Sequence, residues 1–275
     1  MAAELTGLQD KVAVITGAGR MRSIGRELAR VFARAGCDVV ITGTGRSPDR
    51  YPDDEQAAGW RDIESVADEI RALGRRAVPV VSNVASESDV KALLKRTIDE
   101  FGRVDFVINN AAAAKGPDRV PLIDMPYEVW KNVIDVNVNG TYLMSHHFGR
   151  RLVEQGYGGA IVNISSVAGK RYTENASAYA SSKAAVHAMT GCMAREMGKY
   201  QVRINTVCPG TVDTSRMDDV PRGEIWEARV ASRIPLNRAS DGSDIAYITL
   251  FLCSDQGNWI HGQSINVDGG AVVEH

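Results

Sequence analysis

The sequence predicts an α/β fold: one doubly wound, seven-stranded parallel sheet with helices on both faces. Three observations carry this. Short β-rich apolar runs alternate with segments of helical period along the whole chain. Each strand is separated from the next by a helix, and parallel neighbours need such a crossover. The 275 residues contain no internal repeat, and a chain of that length buries roughly three quarters of its unfolded surface, enough for one large core.

In order, residues 11–16 (KVAVIT) form the first strand, and Ile24, Leu28, Val31, Phe32 and Ala35 then share one helical face. Residues 38–42 (DVVIT) form the second strand, and Ile63, Val66, Ala67 and Ile70 mark the next helix. Residues 77–81 (AVPVV) are the third strand, followed by a helix face of Val90, Leu93, Leu94, Thr97, Ile98 and Phe101, and residues 104–109 (VDFVIN) are the fourth. A long helix at 130–151, a strand at 160–165 (AIVNIS), a helix at 176–199 and a strand at 202–207 (VRINTV) continue the alternation. A helix holding Ile245, Ile248 and Leu252 leads to the last strand, 263–267 (QSINV). The strand series with its glycine-rich first turn is Rossmann-like, and ligands of such sheets bind at the carboxyl ends of the strands. Two segments break the rhythm, 43–59 and 214–235. Both follow strands and exceed about 12 residues, the length beyond which loops are usually functional or disordered. The second reads as a substrate lid. Residues 1–275 thus read as one domain, with a cofactor half over 8–155 and a catalytic and substrate half over 156–275.

Lys+Arg 32 against Asp+Glu 34 gives a net charge of -2, so no basic field exists to hold nucleic acid or an anionic membrane surface. No stretch approaches the ~18 apolar residues of a membrane span, and Met1 to Asp10 has no signal-like apolar run. A cytoplasmic protein is expected. Cys37, Cys192, Cys208 and Cys253 lie far apart without a CxxC pair, which predicts reduced, mostly buried thiols and no metal site.

Two constellations carry chemistry. The first strand runs into Thr16-Gly17-Ala18-Gly19-Arg20-Met21-Arg22-Ser23-Ile24-Gly25 and then a helix. Glycines let the backbone approach a pyrophosphate, and the helix start offers free N–H groups and a favourable dipole. Tyr179 and Lys183, four apart, share one helix face, and the ammonium favours the phenolate, which prepares a general acid/base. The strand ending at Ser165-Ser166 brings hydroxyls to the same edge, Ser166 lying 13 residues before the tyrosine.

With these residues in view, the chain resembles the short-chain dehydrogenase/reductase family from Lys11 to Gly270. The matching elements come in the family's order: Thr16-Gly17 with Gly25, Asn109-Asn110-Ala111, Val136-Asn137-Val138-Asn139-Gly140, Ile164-Ser165-Ser166, Tyr179 with Lys183, Pro209-Gly210 with Thr214, and Asn266-Val267-Asp268-Gly269-Gly270. The resemblance implies Tyr179 as acid/base, Lys183 as the residue that lowers its pKa and binds the nicotinamide ribose, and Ser166 as the hydroxyl on the substrate oxygen. Asn137 would hold a water of the proton relay. By the same resemblance Gly17, Gly19, Arg20, Arg22, Ser23 and Ile24 form the cofactor loop, and Asn109 and Ala111 line the adenine-side ribose. Asn83 and Val84 border the adenine, and Pro209, Gly210, Val212 and Thr214 lie on the nicotinamide side. Tyr172 and Trp226 are candidate substrate contacts. A homo-oligomer, a tetramer, acting on a small-molecule substrate is also implied.

The glycine loop departs from the family's pattern: it is two residues longer, and Ser23 replaces the middle glycine. The spacing before Ser23-Ile24-Gly25 is like that of enoyl reductases, but those place Tyr and Lys seven apart rather than four. Carbonyl/alcohol chemistry is therefore expected, with enoyl reduction as the alternative. A non-catalytic nucleotide sensor is the other, and it would not need Asn137, Ser166, Tyr179 and Lys183 together. Where an acid at the end of the second strand would select NAD, the chain has Gly43. Arg46, Arg20 and Arg22 are placed to clasp a 2′-phosphate with no repelling neighbour, which favours NADP(H). NAD(H) is the alternative, with Asp49, Asp53 or Asp54 folding back to bind the ribose.

Overall fold

A computed structural model describes residues 5–273. Met1 to Glu4, part of the N-terminal stretch read above for a signal, lie outside the described residues. The strands are β1 (Val12–Ile15), β2 (Asp38–Gly43), β3 (Ala77–Val81), β4 (Phe106–Asn109), β5 (Gly159–Ile164), β6 (Val202–Pro209) and β7 (Ser264–Val267). They form one parallel sheet in the order β3-β2-β1-β4-β5-β6-β7. The helices are α1 (Ile24–Arg34), α2 (Asp53–Ala57), α3 (Ile63–Ala72), α4 (Glu87–Phe101), α5 (Tyr127–Ile134), α6 (Gly140–Gln155), α7 (Ser177–Met197), α8 (Glu224–Arg233) and α9 (Ser243–Cys253).

Strand alternation divides the core between the two faces. Ala13 and Ile15 of β1, Val39 and Ile41 of β2 and Ile108 of β4 pack against Leu28 and Phe32 of α1, Ile70 of α3 and Ile245 of α9. Their neighbours Val12, Val14, Val40 and Val107 face Leu93 of α4 and Phe148 and Leu152 of α6 on the other side. Strands covered twice read as nearly continuous apolar runs, which is why the five inner strands are plain in the sequence; the edge strands β3 and β7 are only partly buried.

The helix expected at 130–151 begins at Tyr127 and is interrupted by a π turn over Asp135–Asn139, which separates α5 from α6. The segment 43–59 is not a plain loop: a short turn at Pro48–Arg50 and α2 fold it back toward the glycine-rich turn. The segment 214–235 likewise contains a turn at Ser215–Met217 and α8. Cys37, Cys208 and Cys253 are buried and Cys192 is exposed, and none of the four is in a disulfide. Burial pushes the Cys253 thiol up to about 12. Among the described residues no helix is long and apolar enough to cross a membrane, and no cluster of side chains is set to hold a metal ion.

Candidate active site

The order of strands reverses between β1 and β4, which opens a crevice above the carboxyl end of the sheet. The turn after β1 enters it with Gly17 at φ +68, and a Cβ there would lie 2.8 Å from Ala111 Cα. Asn110 Nδ2 donates to the carbonyls of Thr16 (2.8 Å) and Gly17 (3.0 Å), while Thr16 Oγ1 accepts from the Asn110 and Ala111 amides. Ser23 caps α1 by accepting from Arg26 N at 3.1 Å, which leaves Ile24 as the first helical residue.

The turn between Gly19 and Ser23 is held by α2. Glu55, 1% exposed, accepts Arg20 Nε (3.0 Å) and Met21 N (2.8 Å) on one oxygen and Arg46 Nη1 (3.1 Å) on the other. Arg22 is bound to Asp54 (2.8 Å) and to Asp218 (2.7 Å), and both carboxylates hold its guanidinium above its usual pKa. The three arginines expected to surround a phosphate are thus each matched by acid. Of the acids named as able to fold back, Asp54 does so, and Glu55 joins it.

A further acid lies between the glycine turn and the end of β2. Asp62 is buried at the start of α3 with φ +52. A Cβ on Gly19 would meet its Oδ1 at 1.5 Å, and one on Gly43 would lie 3.5 Å from Oδ2, so the carboxylate sits between the glycine turn and the end of β2. Arg46 Nη2 approaches Oδ1 at 3.4 Å, and Oδ2 is buried without a hydrogen-bond partner. The premise that no neighbour would repel a 2′-phosphate is therefore corrected: the strand end lacks an acid, but α3 delivers one to the same place.

The catalytic candidates converge at the ends of β5 and β6. Ser166 follows β5, accepts from Ala168 N at 3.1 Å and lies 3.4 Å from the Pro209 carbonyl. Tyr179 is on the first turn of α7, and Lys183 one turn on is buried, its Nζ donating to Ile164 O at 2.9 Å. Burial alone would raise the Tyr179 phenol. Lys183, Arg216, a hydrogen bond with Ser166 and Arg119 together outweigh it and hold the phenol below its ordinary value. Burial in turn lowers Lys183, opposed by Tyr179. Asn137 lies in the π turn, with Oδ1 accepting Ala113 N (2.8 Å) and Nδ2 donating to Ser182 Oγ (2.9 Å). Its side chain is spent on joining the loop after β4 to α7, so it positions this region.

Other expected residues are placed as follows. Val84 is buried against Gly140, and Asn83 Oδ1 accepts Ala85 N in its own turn. The Asn109 amide is directed inside the sheet, donating to Ser145 and Asn163, with Oδ1 buried and unpartnered. Gly210 N bonds Val267 O, and Val212 and Thr214 are buried beside it. Tyr172 is 73% exposed and lines an open depression of about 500 Å³ with Ala180, Ser181 and Ala184. Those helix positions are turned roughly 100° or more from Tyr179, so Tyr172 is not joined to the catalytic phenol. Trp226 stacks under Arg222 at 4.2 Å, and no contact among the described residues links it to Tyr179.

Sequence reasoning missed Glu55, Asp62, Arg119 and Arg216. Arg119 has its guanidinium carbon 4.5 Å from the Tyr179 ring centroid and Arg216 5.5 Å. Asp62, directly before the apolar period of α3, has the form of an ordinary helix-start residue, which hides its role.

Comparisons with known proteins bear on the family and the fold. A family model described as enoyl-(acyl carrier protein) reductase matches residues 17–272. The 7α-hydroxysteroid dehydrogenase of Escherichia coli (strain K12) is 33% identical over 267 residues, covering 97% of this chain and 96% of its own. The L-rhamnose 1-dehydrogenase (NAD(P)(+)) of Azotobacter vinelandii is 35% identical, covering 97% of this chain and 98% of its own. A solved 7α-hydroxysteroid dehydrogenase complexed with NADH and 7-oxo glycochenodeoxycholic acid matches the fold with a TM-score of 0.83 at 34% identity, covering 97% of this chain and 96% of that one.

Proposed function

The chain belongs to the short-chain dehydrogenase/reductase family, and from that premise we propose that it interconverts a secondary alcohol and a ketone with Tyr179 as acid/base. The observation that carries this reading is a tyrosine phenol held below its usual pKa by Lys183 one helical turn away. In the oxidative direction Tyr179 Oη takes the substrate's hydroxyl proton, and in ketone reduction it returns one. Ser166, whose nearby hydroxyl also favours the phenolate, polarises the substrate oxygen. Lys183 favours the phenolate, and Asn137 fixes the loop that faces it.

The glycine turn, which any Cβ would fill, and the unpartnered Asp62 Oδ2 both fit a dinucleotide. Gly17, Gly19, Ser23 and Ile24 would hold its pyrophosphate, Asn83, Val84, Asn109 and Ala111 its adenosine. Pro209, Gly210, Val212 and Thr214, with Tyr179 and Lys183, would hold its nicotinamide side. When bound, the nicotinamide accepts or donates the hydride. We propose NAD(H) over the NADP(H) that charge placement in the sequence favours, because Asp62 supplies a ribose acceptor and the Arg20, Arg22 and Arg46 guanidiniums are already matched. The names of the relatives, one with NADH and one with NAD(P)(+), are compatible with either form.

Following nicotinamide absorbance over a panel of secondary alcohols and ketones tests the reaction class. Enoyl reduction is the second reading, favoured by the description of the matching family model. A 2-enoyl thioester in the same panel separates them, and preferential turnover of that substrate would replace the alcohol/ketone reading. Direct titration of NADH and NADPH tests the cofactor: NADH is expected to bind at least about tenfold tighter, from one charged hydrogen bond gained and one repulsion avoided.

A further inference from the structure

Two guanidiniums stand over the catalytic phenol, and the acid/base role of Tyr179 does not require either. Arg119 comes from the loop between β4 and α5, and Arg216 from the turn that opens the segment read as a lid. Arg216 spends one N–H on Ala113 O at 2.8 Å, and a guanidinium has five, so four remain. Among the described residues no carboxylate lies within ion-pair distance of it. Arg119 has Asp118 at 3.5 Å from Nε, and that Nε is buried with no hydrogen-bond acceptor. Elsewhere along this edge the pattern is the opposite, with Arg20, Arg22 and Arg46 each bonded to acids.

The charge around Tyr179 is accordingly unbalanced. Lys183, Arg119 and Arg216 contribute three cations, and among the described residues Asp118 is the one acid paired with them, its other oxygen already accepting Gly116 N. One cation is enough to favour the phenolate, and Lys183 supplies it. Two planar forks with unspent donors beside the Tyr179 ring match a bidentate anion. The segment carrying Arg216 is fastened over the site by Lys115 to Asp219 (2.6 Å) and by Arg22 to Asp218 (2.7 Å). Arg216 is thereby held where a substrate entering beside Tyr179 would meet it.

We propose that the substrate carries an anionic group, a carboxylate or a phosphate, close to the reacting carbon, and that Arg119 and Arg216 bind it. This rests on the alcohol/ketone reading of the same site. The substrate class is then a hydroxy acid and its oxo acid, or a hydroxyalkyl phosphate and its ketone, rather than a neutral alcohol.

The test uses the full-length enzyme with its nicotinamide cofactor and three matched series: 3-hydroxyalkanoates, their methyl esters, and hydroxyalkyl phosphates. In the wild type, kcat/KM for at least one anionic series should exceed that of the neutral esters by about 10- to 100-fold, the value of one or two charge-assisted hydrogen bonds. Which anion leads assigns the carboxylate or the phosphate. In Arg216→Gln and Arg119→Gln the anion-to-ester ratio should fall toward one, and Arg216→Lys should recover part of it. If the arginines served only to tune Tyr179, esters and anions would lose activity together and the ratio would hold, which overturns the inference. Calorimetric binding of 3-oxoalkanoates to Tyr179→Phe carrying NADH gives a readout free of turnover, and binding no tighter than that of the esters also overturns it. Turnover of neutral alcohols without preference for anions removes this inference alone. No nicotinamide change with any alcohol or ketone removes the alcohol/ketone reading as well.

Discussion

At its ordinary pKa a tyrosine phenol is almost wholly protonated near neutrality, and the cations around Tyr179 favour its phenolate. Because the phenol is held low by Lys183 and the two arginines against the opposing effect of burial, alcohol oxidation should rise with pH and level off below the usual tyrosine value. Ketone reduction needs the protonated phenol and should fall over the same interval. Removing a cation destabilises the phenolate, so Arg216→Gln should move both limbs to higher pH; an unchanged midpoint in the pH-rate profiles would show that Arg216 exerts no field on the phenol. Asp62 gives a second test at this scale. Asp62→Asn removes the charge but keeps the shape, and should weaken NADH by about 10-fold or more while improving NADPH, as measured by fluorescence titration. Equal loss of both cofactors would mean that Asp62 only supports the turn.

At the scale of elements, the informative unit is α2 folded onto the glycine turn. Glu55 is buried and bonded to two guanidiniums and a backbone amide, whereas Asp54 holds Arg22 near solvent. Breaking a buried pair leaves charge uncompensated, so Glu55→Gln should cost about 3–5 kcal/mol in denaturant unfolding. Asp54→Asn should cost about 1 kcal/mol or less. Equal effects would contradict the account of how the loop is held. This contrast also marks where the sequence was legible. Strands covered on both faces announce themselves as apolar runs, and Ser166, Tyr179 and Lys183 fall on elements whose period is plain. The π turn at Asn137 is set by partners at Ala113 and Ser182, 24 and 45 residues away, which no local pattern encodes. Asp62 comes beside Gly43 from the start of α3, and a reading of charges near Gly43 in sequence could not count it.

At the scale of the molecule, Leu122, Ile123 and Tyr127 expose apolar surface around the start of α5, with Ile123 93% exposed. We expect a homotetramer, and light scattering at micromolar concentration should return four times the 29.8 kDa chain mass. A fully active monomer would refute it. The central claim is that this sheet edge is an alcohol/ketone oxidoreductase site with Tyr179 as its proton carrier. The most direct measurement compares wild type with Tyr179→Phe, following nicotinamide absorbance for turnover and titrating NADH for binding. The phenylalanine keeps the ring and deletes the proton, so turnover should fall by about 10²- to 10⁴-fold with the cofactor affinity unchanged. Retention of more than about a tenth of the wild-type rate, where chemistry limits turnover, would contradict it.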